Sequence, residues 1–77
     1  MESTEVHAAW GQRIRKIRRE NELTVTQVAL EVGISRRYLH AIERGQYAPS
    51  EEVRVALAKA IGVKPGAIFN YDLLDAS

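Results

Sequence analysis

A small all-α fold, five short helices around one core, is what this sequence predicts. Three observations carry the prediction. Large apolar residues return at three- and four-residue steps, and no segment carries a strand signal. Residues that start and stop helices punctuate the chain, with Thr24, Ser35 and Ser50 ahead of the apolar runs and Gly33, Gly45 and Gly62 behind them. Finally, 77 residues, 45% of them hydrophobic and none a cysteine, make a single core near the lower size limit, with no disulfide or thiolate metal site to help it.

The first helical pattern runs from about Ala8 to Asn21, where Trp10, Ile14 and Ile17 form one stripe with arginines on its flanks. Residues 1–7 ahead of it read as a flexible arm, and Leu23 folds back beneath the stripe. TVTQ, Thr24 to Gln27, is a capping box: the threonine hydroxyl accepts from the Gln27 N–H, and the glutamine side chain accepts from the Thr24 N–H. The second helix, Val25 to Val32, buries Val28, Ala29 and Val32 and stops at Gly33, where the missing Cβ permits a left-handed turn. Ile34 plugs the corner, and Ser35 caps the third helix.

In that third helix, about 35–44, Leu39 and Ile42 face inward, while Arg36, Arg37, His40, Ala41 and Arg44 form the opposite face with Tyr38 at its edge. After Gly45 the loop GQYAPS leads to the fourth helix, about Ser50 to Ile61, which buries Val53, Leu57 and Ile61. Its first turn holds Glu51 and Glu52, where the helix dipole favours acids. Pro65 opens a short fifth helix carrying Ile68 and Phe69. The tail, residues 71–77, adds Tyr71, Leu73 and Leu74, more apolar surface than a free tail needs.

A net charge of +1 conceals an uneven distribution. Residues 13–44 carry eight basic side chains against four acidic ones, while both flanks are net negative. Positive charge gathered in the middle suits a polyanionic partner, although a solvated helix face produces the same cluster. There is no Gly-rich phosphate loop and no metal-spaced cluster of ligands, and His7 and His40 are isolated. Enzymatic chemistry, a cofactor and a bound metal are therefore not expected. No apolar run approaches the ~18 residues of a membrane span, and the N-terminus lacks a signal-peptide pattern, so a cytoplasmic location is expected.

Helix, short Gly-containing turn, then an outward-facing polar helix is the helix-turn-helix pattern, whose second helix enters the DNA major groove. Over about residues 9–70 the chain resembles the Xre family, the lambda-repressor-like five-helix DNA-binding domains of Cro/CI type. WGQRIRKIRRE is similar to that family's first helix at Gly11, Ile14 and Arg18. VALEVGIS is similar at Ala29, Gly33, Ile34 and Ser35, IERG at the end of the recognition helix, and PS and ALAKAIGV at the start and end of the fourth helix.

The resemblance implies a DNA-binding domain over residues 8–70. It places Arg36, Arg37, Tyr38 and Ala41 at base-reading positions; arginine there suits guanine, which accepts a bidentate pair at O6 and N7. Thr24, Val25 and Thr26 at the start of the second helix, Ser35, and Gln46 and Tyr47 in the following loop fall where phosphates are held. His40 and Arg44 are further phosphate candidates. Arg18 and Glu43 match positions that many members join as an internal ion pair. Three positions depart from the pattern: Val25 replaces a DNA-contacting glutamine, Glu22 a frequent glycine, and Arg54 an apolar residue. With Val53 supplying the core volume, Arg54 is expected to extend outward.

These features predict a sequence-specific regulator, a repressor on a (pseudo)palindromic operator. One such domain reads too few base pairs alone, so a homodimer over half-sites ~34 Å apart is expected. Phe69, Tyr71, Leu73 and Leu74 are its candidate interface, with capping of the monomer core as the alternative role. An adaptor or antitoxin-type protein on the same scaffold is the competing reading, and a module excised from a longer regulator would look the same.

Overall fold

The computed structural model describes residues 4–69. Four α-helices and one 3-10 turn follow in order: α1 (Thr4–Glu20), α2 (Val25–Val32), α3 (Arg36–Glu43), α4 (Glu51–Ile61), and the turn Pro65–Ala67. The fold is all-α, as the spacing predicts. The expected fifth helix is reduced to the 3-10 turn, in which the Ile68 N–H closes on the Pro65 carbonyl. Gly66 inside it is a poor helix former, and the buried Ile68 pins the chain before a longer helix develops.

Helix α1 begins at Thr4, not Ala8, so the described part of the expected arm is helix. The physical reason is Val6, which is buried one turn before Trp10. Val6, Trp10, Ile14 and Arg18 then follow at four-residue steps along one inward stripe, and all four are buried. A single valine among polar residues is too weak a signal to extend the pattern in sequence.

The punctuation residues act as expected. Thr24 Oγ accepts from the Gln27 N–H at 3.0 Å, and Gln27 Oε1 accepts from the Thr24 N–H at 2.8 Å. Ser35 Oγ accepts from the Tyr38 N–H at 3.0 Å, and Ser50 Oγ from the Val53 N–H at 3.4 Å. Gly33 (φ 85°) and Gly62 (φ 84°) end α2 and α4 in the left-handed region. Glu22 takes φ 57°, so the turn after α1 has the conformation a glycine would favour, made by a residue with a Cβ. Two backbone bonds hold it: Glu22 N–H to the Arg19 carbonyl and Leu23 N–H to the Arg18 carbonyl, each 3.0 Å.

Trp10, Ile14, Val28, Leu39, Ile42, Leu57, Ile61 and Ile68 fill the core. Helix α1 crosses the C-terminal end of α3 at very short range. A Cβ on Gly11 would collide with the carbonyl oxygens of Ile42 and Glu43, and one on Gly45 would lie 2.7 Å from Ala8 Cα. Asn21 Nδ2 donates to the Ile61 carbonyl at 3.0 Å, joining the ends of α1 and α4.

Arg54 does not extend outward. Its Nε donates to the Pro49 carbonyl at 2.9 Å, and its guanidinium lies 4.5 Å from the Trp10 ring centroid. Phe69 meets the Trp10 ring edge-on at 5.2 Å. A planar cation over an indole face gains from the ring quadrupole, which an outward rotamer forfeits. Val53 is half-buried and adds to the core from beside it.

Candidate nucleic-acid interface

The turn between α2 and α3 is only three residues, Gly33 to Ser35. The Gly33 and Ile34 N–H groups both donate to the Ala29 carbonyl, at 2.9 and 3.0 Å, which fixes the angle between the helices. Because Leu39 and Ile42 are locked in the core, the rotation of α3 about its axis is set, and with it the direction of every polar side chain.

Arg36 and Arg37 lie in the first turn of α3, and both are exposed. His40 and Arg44 follow Arg36 at four-residue steps on the same outward strip and are also exposed. Tyr38 is half-buried, with its ring 6.2 Å from that of Tyr47, which is 58% exposed. Arg36, Arg37, His40 and Arg44 thus share the exposed arc of α3, while Tyr38, between the buried Ala41 and Ile42 around the helix, pairs with Tyr47.

Ala41 differs from expectation. It is 7% exposed, part of the packed side of α3 and not of its outward face. Its carbonyl accepts from the Gln46 N–H at 2.9 Å, so the chain leaving α3 returns alongside it, and a methyl group is short enough to be covered. Direct base reading by Ala41 is therefore not supported in the free domain.

At the start of α2 the capping box occupies the N–H groups of Thr24 and Gln27. The N–H groups of Val25 and Thr26 remain to be offered to an anion, at the positive end of the helix dipole. Thr24 and Thr26 are exposed, whereas the Val25 side chain packs on the core and contributes only its backbone. Ser35 Oγ uses one of its two lone pairs on the cap and keeps a proton to donate. Gln46 is exposed beside Tyr47 in the loop after α3.

Arg18 and Glu43 form a two-point ion pair: Nε to Oε2 at 2.8 Å and a terminal nitrogen to Oε1 at 3.2 Å. The third guanidinium nitrogen donates to the Leu23 carbonyl at 2.8 Å. Arg18 is thereby committed inside the domain. Around this pair the facing sides of α1 and α3 leave a crevice of about 150 Å³ lined by Arg15, Arg18, Arg19, His40, Glu43 and Arg44. Arg15 and Arg19 are visible in sequence only as members of a basic run. Their spacing from Arg18, three residues before and one after, is the signal that puts both on the same side of it.

Of the candidate dimer residues, Phe69 is half-buried against Trp10; Tyr71, Leu73 and Leu74 lie outside the described residues. Phe69 also lines a groove with Pro49, Arg54, Val55 and Pro65. Val55 there is 52% exposed, an apolar residue on the outer side of α4 that periodicity alone did not single out. No helix among the described residues is long and apolar enough to cross a membrane.

A helix-turn-helix family model matches residues 14–68. The chain is 44% identical over 64 residues to the immunity repressor protein of Bacillus phage phi105, an alignment covering 83% of this chain and 44% of the phage protein. It therefore spans less than half the length of that relative. It is 37% identical over 60 residues to an HTH-type transcriptional regulator of Methanocaldococcus jannaschii, covering 78% of this chain and 91% of that one. Among solved structures, the restriction-modification controller protein C.AhdI of Aeromonas hydrophila superposes with a TM-score of 0.78 at 32% identity, over 82% of this chain and 96% of the controller. The clp gene regulator ClgR of C. glutamicum superposes with the same TM-score at 25% identity, over 82% of each chain.

Proposed function

The chain belongs to the Xre-type, lambda-repressor-like helix-turn-helix family of DNA-binding transcriptional regulators, which are not enzymes, and from that premise we propose that it is a repressor of a (pseudo)palindromic operator. Helix α3 lies in the major groove, and the protein acts as a homodimer. One observation carries the reading: Arg36 and Arg37 stand exposed in the first turn of a helix whose other side is locked into the core. Two guanidinium forks in that place are suited to guanine edges. Tyr38 and Tyr47 flank them, and Thr24, Val25, Thr26, Ser35, Gln46, His40 and Arg44 supply phosphate contacts that set the register without naming a sequence.

Repression is the sense supported by likeness to a phage immunity repressor. The dimer forms through the groove around Val55, Pro65 and Phe69; Tyr71, Leu73 and Leu74, outside the described residues, are the further candidates for its interface. Support for that placement is the exposed apolar Val55 beside a partly exposed Phe69. A protein-binding role is favoured by a different residue, Leu30, which is 82% exposed on α2.

Selection of bound sites from random DNA, followed by an Arg36→Ala/Arg37→Ala double variant, tests the proposal. The wild-type protein is expected to enrich a symmetric site, and the variant to lose about 1–3 kcal/mol of discrimination per arginine–guanine pair. Enrichment of the same site by the variant would remove the recognition role from this pair. Absence of any enriched site with wild-type protein would favour the protein-binding reading.

A further inference from the structure

We propose that the crevice between α1 and α3 seats a backbone phosphate of the bound DNA, so that Arg15 and Arg19 make α1 a phosphate clamp beside the groove-facing helix. The inference rests on the DNA-binding reading above and adds an element to which that reading assigns no contact.

Charge is the first argument. The only carboxylate in the crevice is Glu43, and both its oxygens are taken by Arg18, at 2.8 and 3.2 Å. Arg15, Arg19 and Arg44 are exposed, and among the described residues none of them is ion-paired. Three guanidinium groups around one concavity, with its acid already neutralised, repel one another until an oxyanion enters. Phosphate answers their fork geometry, accepting parallel N–H bonds.

Placement is the second argument. His40 and Arg44, which form the α3 wall of the crevice, stand on the same outward strip as Arg36. A helix seated in a groove ~12 Å wide has a phosphate chain along each side. The crevice thus opens where one of those chains passes. Size agrees: about 150 Å³ is well below the ~300–1,000 Å³ of small-molecule pockets, and suits a single phosphate group.

The test is the salt dependence of binding to the selected duplex by an Arg15→Gln/Arg19→Gln variant, with Lys59→Gln/Lys64→Gln as an equal-charge control from exposed positions elsewhere. For each phosphate that the variant no longer neutralises, the slope of log affinity against log salt is expected to fall by about 0.9, so the loss of affinity from ~50 to ~200 mM salt shrinks by about 3.5-fold. The ratio of specific to non-specific affinity stays unchanged, and the control keeps the wild-type slope. A scan with single methylphosphonate linkages should find one position that weakens the wild-type protein and not the crevice variant. A crevice variant with the wild-type slope, or with the wild-type response at every linkage, overturns the clamp while leaving DNA binding intact. A wild-type protein that binds no duplex at all overturns both.

Discussion

Arg18 and Glu43 join α1 to the end of α3 through two hydrogen-bonded contacts, with side chains only 8% and 5% exposed. Arg18 occupies the fourth place on the stripe that otherwise reads Val6, Trp10 and Ile14, so the periodicity of α1 itself carries the charge inward. Burying two ions costs several kcal/mol each, and their attraction offsets that only because the geometry is two-pronged and the remaining guanidinium nitrogen is satisfied by the Leu23 carbonyl.

Removing one partner should therefore be worse than removing both. Glu43→Ala is expected to lose about 3–5 kcal/mol in urea unfolding, because it strands a buried guanidinium. An Arg18→Met/Glu43→Leu variant should regain most of that loss. A double variant less stable than Glu43→Ala would show that the pair contributes more than mutual neutralisation.

The crossing of α1 over α3 admits no side chain at Gly11. Gly11→Ala should cost at least about 1–3 kcal/mol, since the atoms met are backbone carbonyls that cannot rotate away. Gly33→Ala provides the calibration: it has positive φ but open space around it, and should cost about 1–2 kcal/mol. Gly45→Ala meets both penalties and should exceed Gly33→Ala. Thermal unfolding followed by Trp10 fluorescence ranks the three, Trp10 being the single tryptophan.

At Glu22 the expected sign reverses. A residue with a Cβ at φ 57° carries strain of about 1–2 kcal/mol, against about 0.5–1 kcal/mol of extra unfolded-state freedom for glycine. Glu22→Gly should leave stability equal or raise it by up to about 1.5 kcal/mol, while Glu22→Val should lower it. Urea midpoints of the two variants decide the matter, and a destabilised glycine variant would mean that the glutamate side chain makes a contribution of its own.

Arg54 should act through packing as well as charge. Arg54→Ala removes the cation from the Trp10 face and the donor from the Pro49 carbonyl, and is expected to cost about 1–3 kcal/mol with a red shift of Trp10 emission. Arg54→Met, which restores apolar volume, should recover part of the stability. An unchanged emission maximum in the alanine variant would separate the cation from the ring.

Much of this architecture is readable in order along the chain, because the deciding interactions are local. A cap needs a hydroxyl and an amide three residues away, so TVTQ, Ser35 and Ser50 announce helix starts wherever they stand. Leu39 and Ile42 orient the third helix from spacing alone, and Arg36 and Arg37 consequently point outward. The elements that depart from the spacing are those whose signal is diluted: one valine in a polar stretch at the start of α1, and one glycine in the final turn.

What the amino-acid order determined by itself was therefore the helices, their caps and the outward direction of the two arginines, since each follows from partners within a few positions. The tertiary structure alone decided that Arg54 turns inward, which methyl is covered and which basic residues share a space. Arg54 turns inward because Trp10, distant in sequence, offers it a face, and Ala41 is covered because the chain returns beside it. Arg15 and Arg19 line one crevice with His40 and Arg44 because Gly11 lets two backbones approach. Such outcomes depend on distances between segments far apart in the chain, and no periodicity within a single segment encodes them.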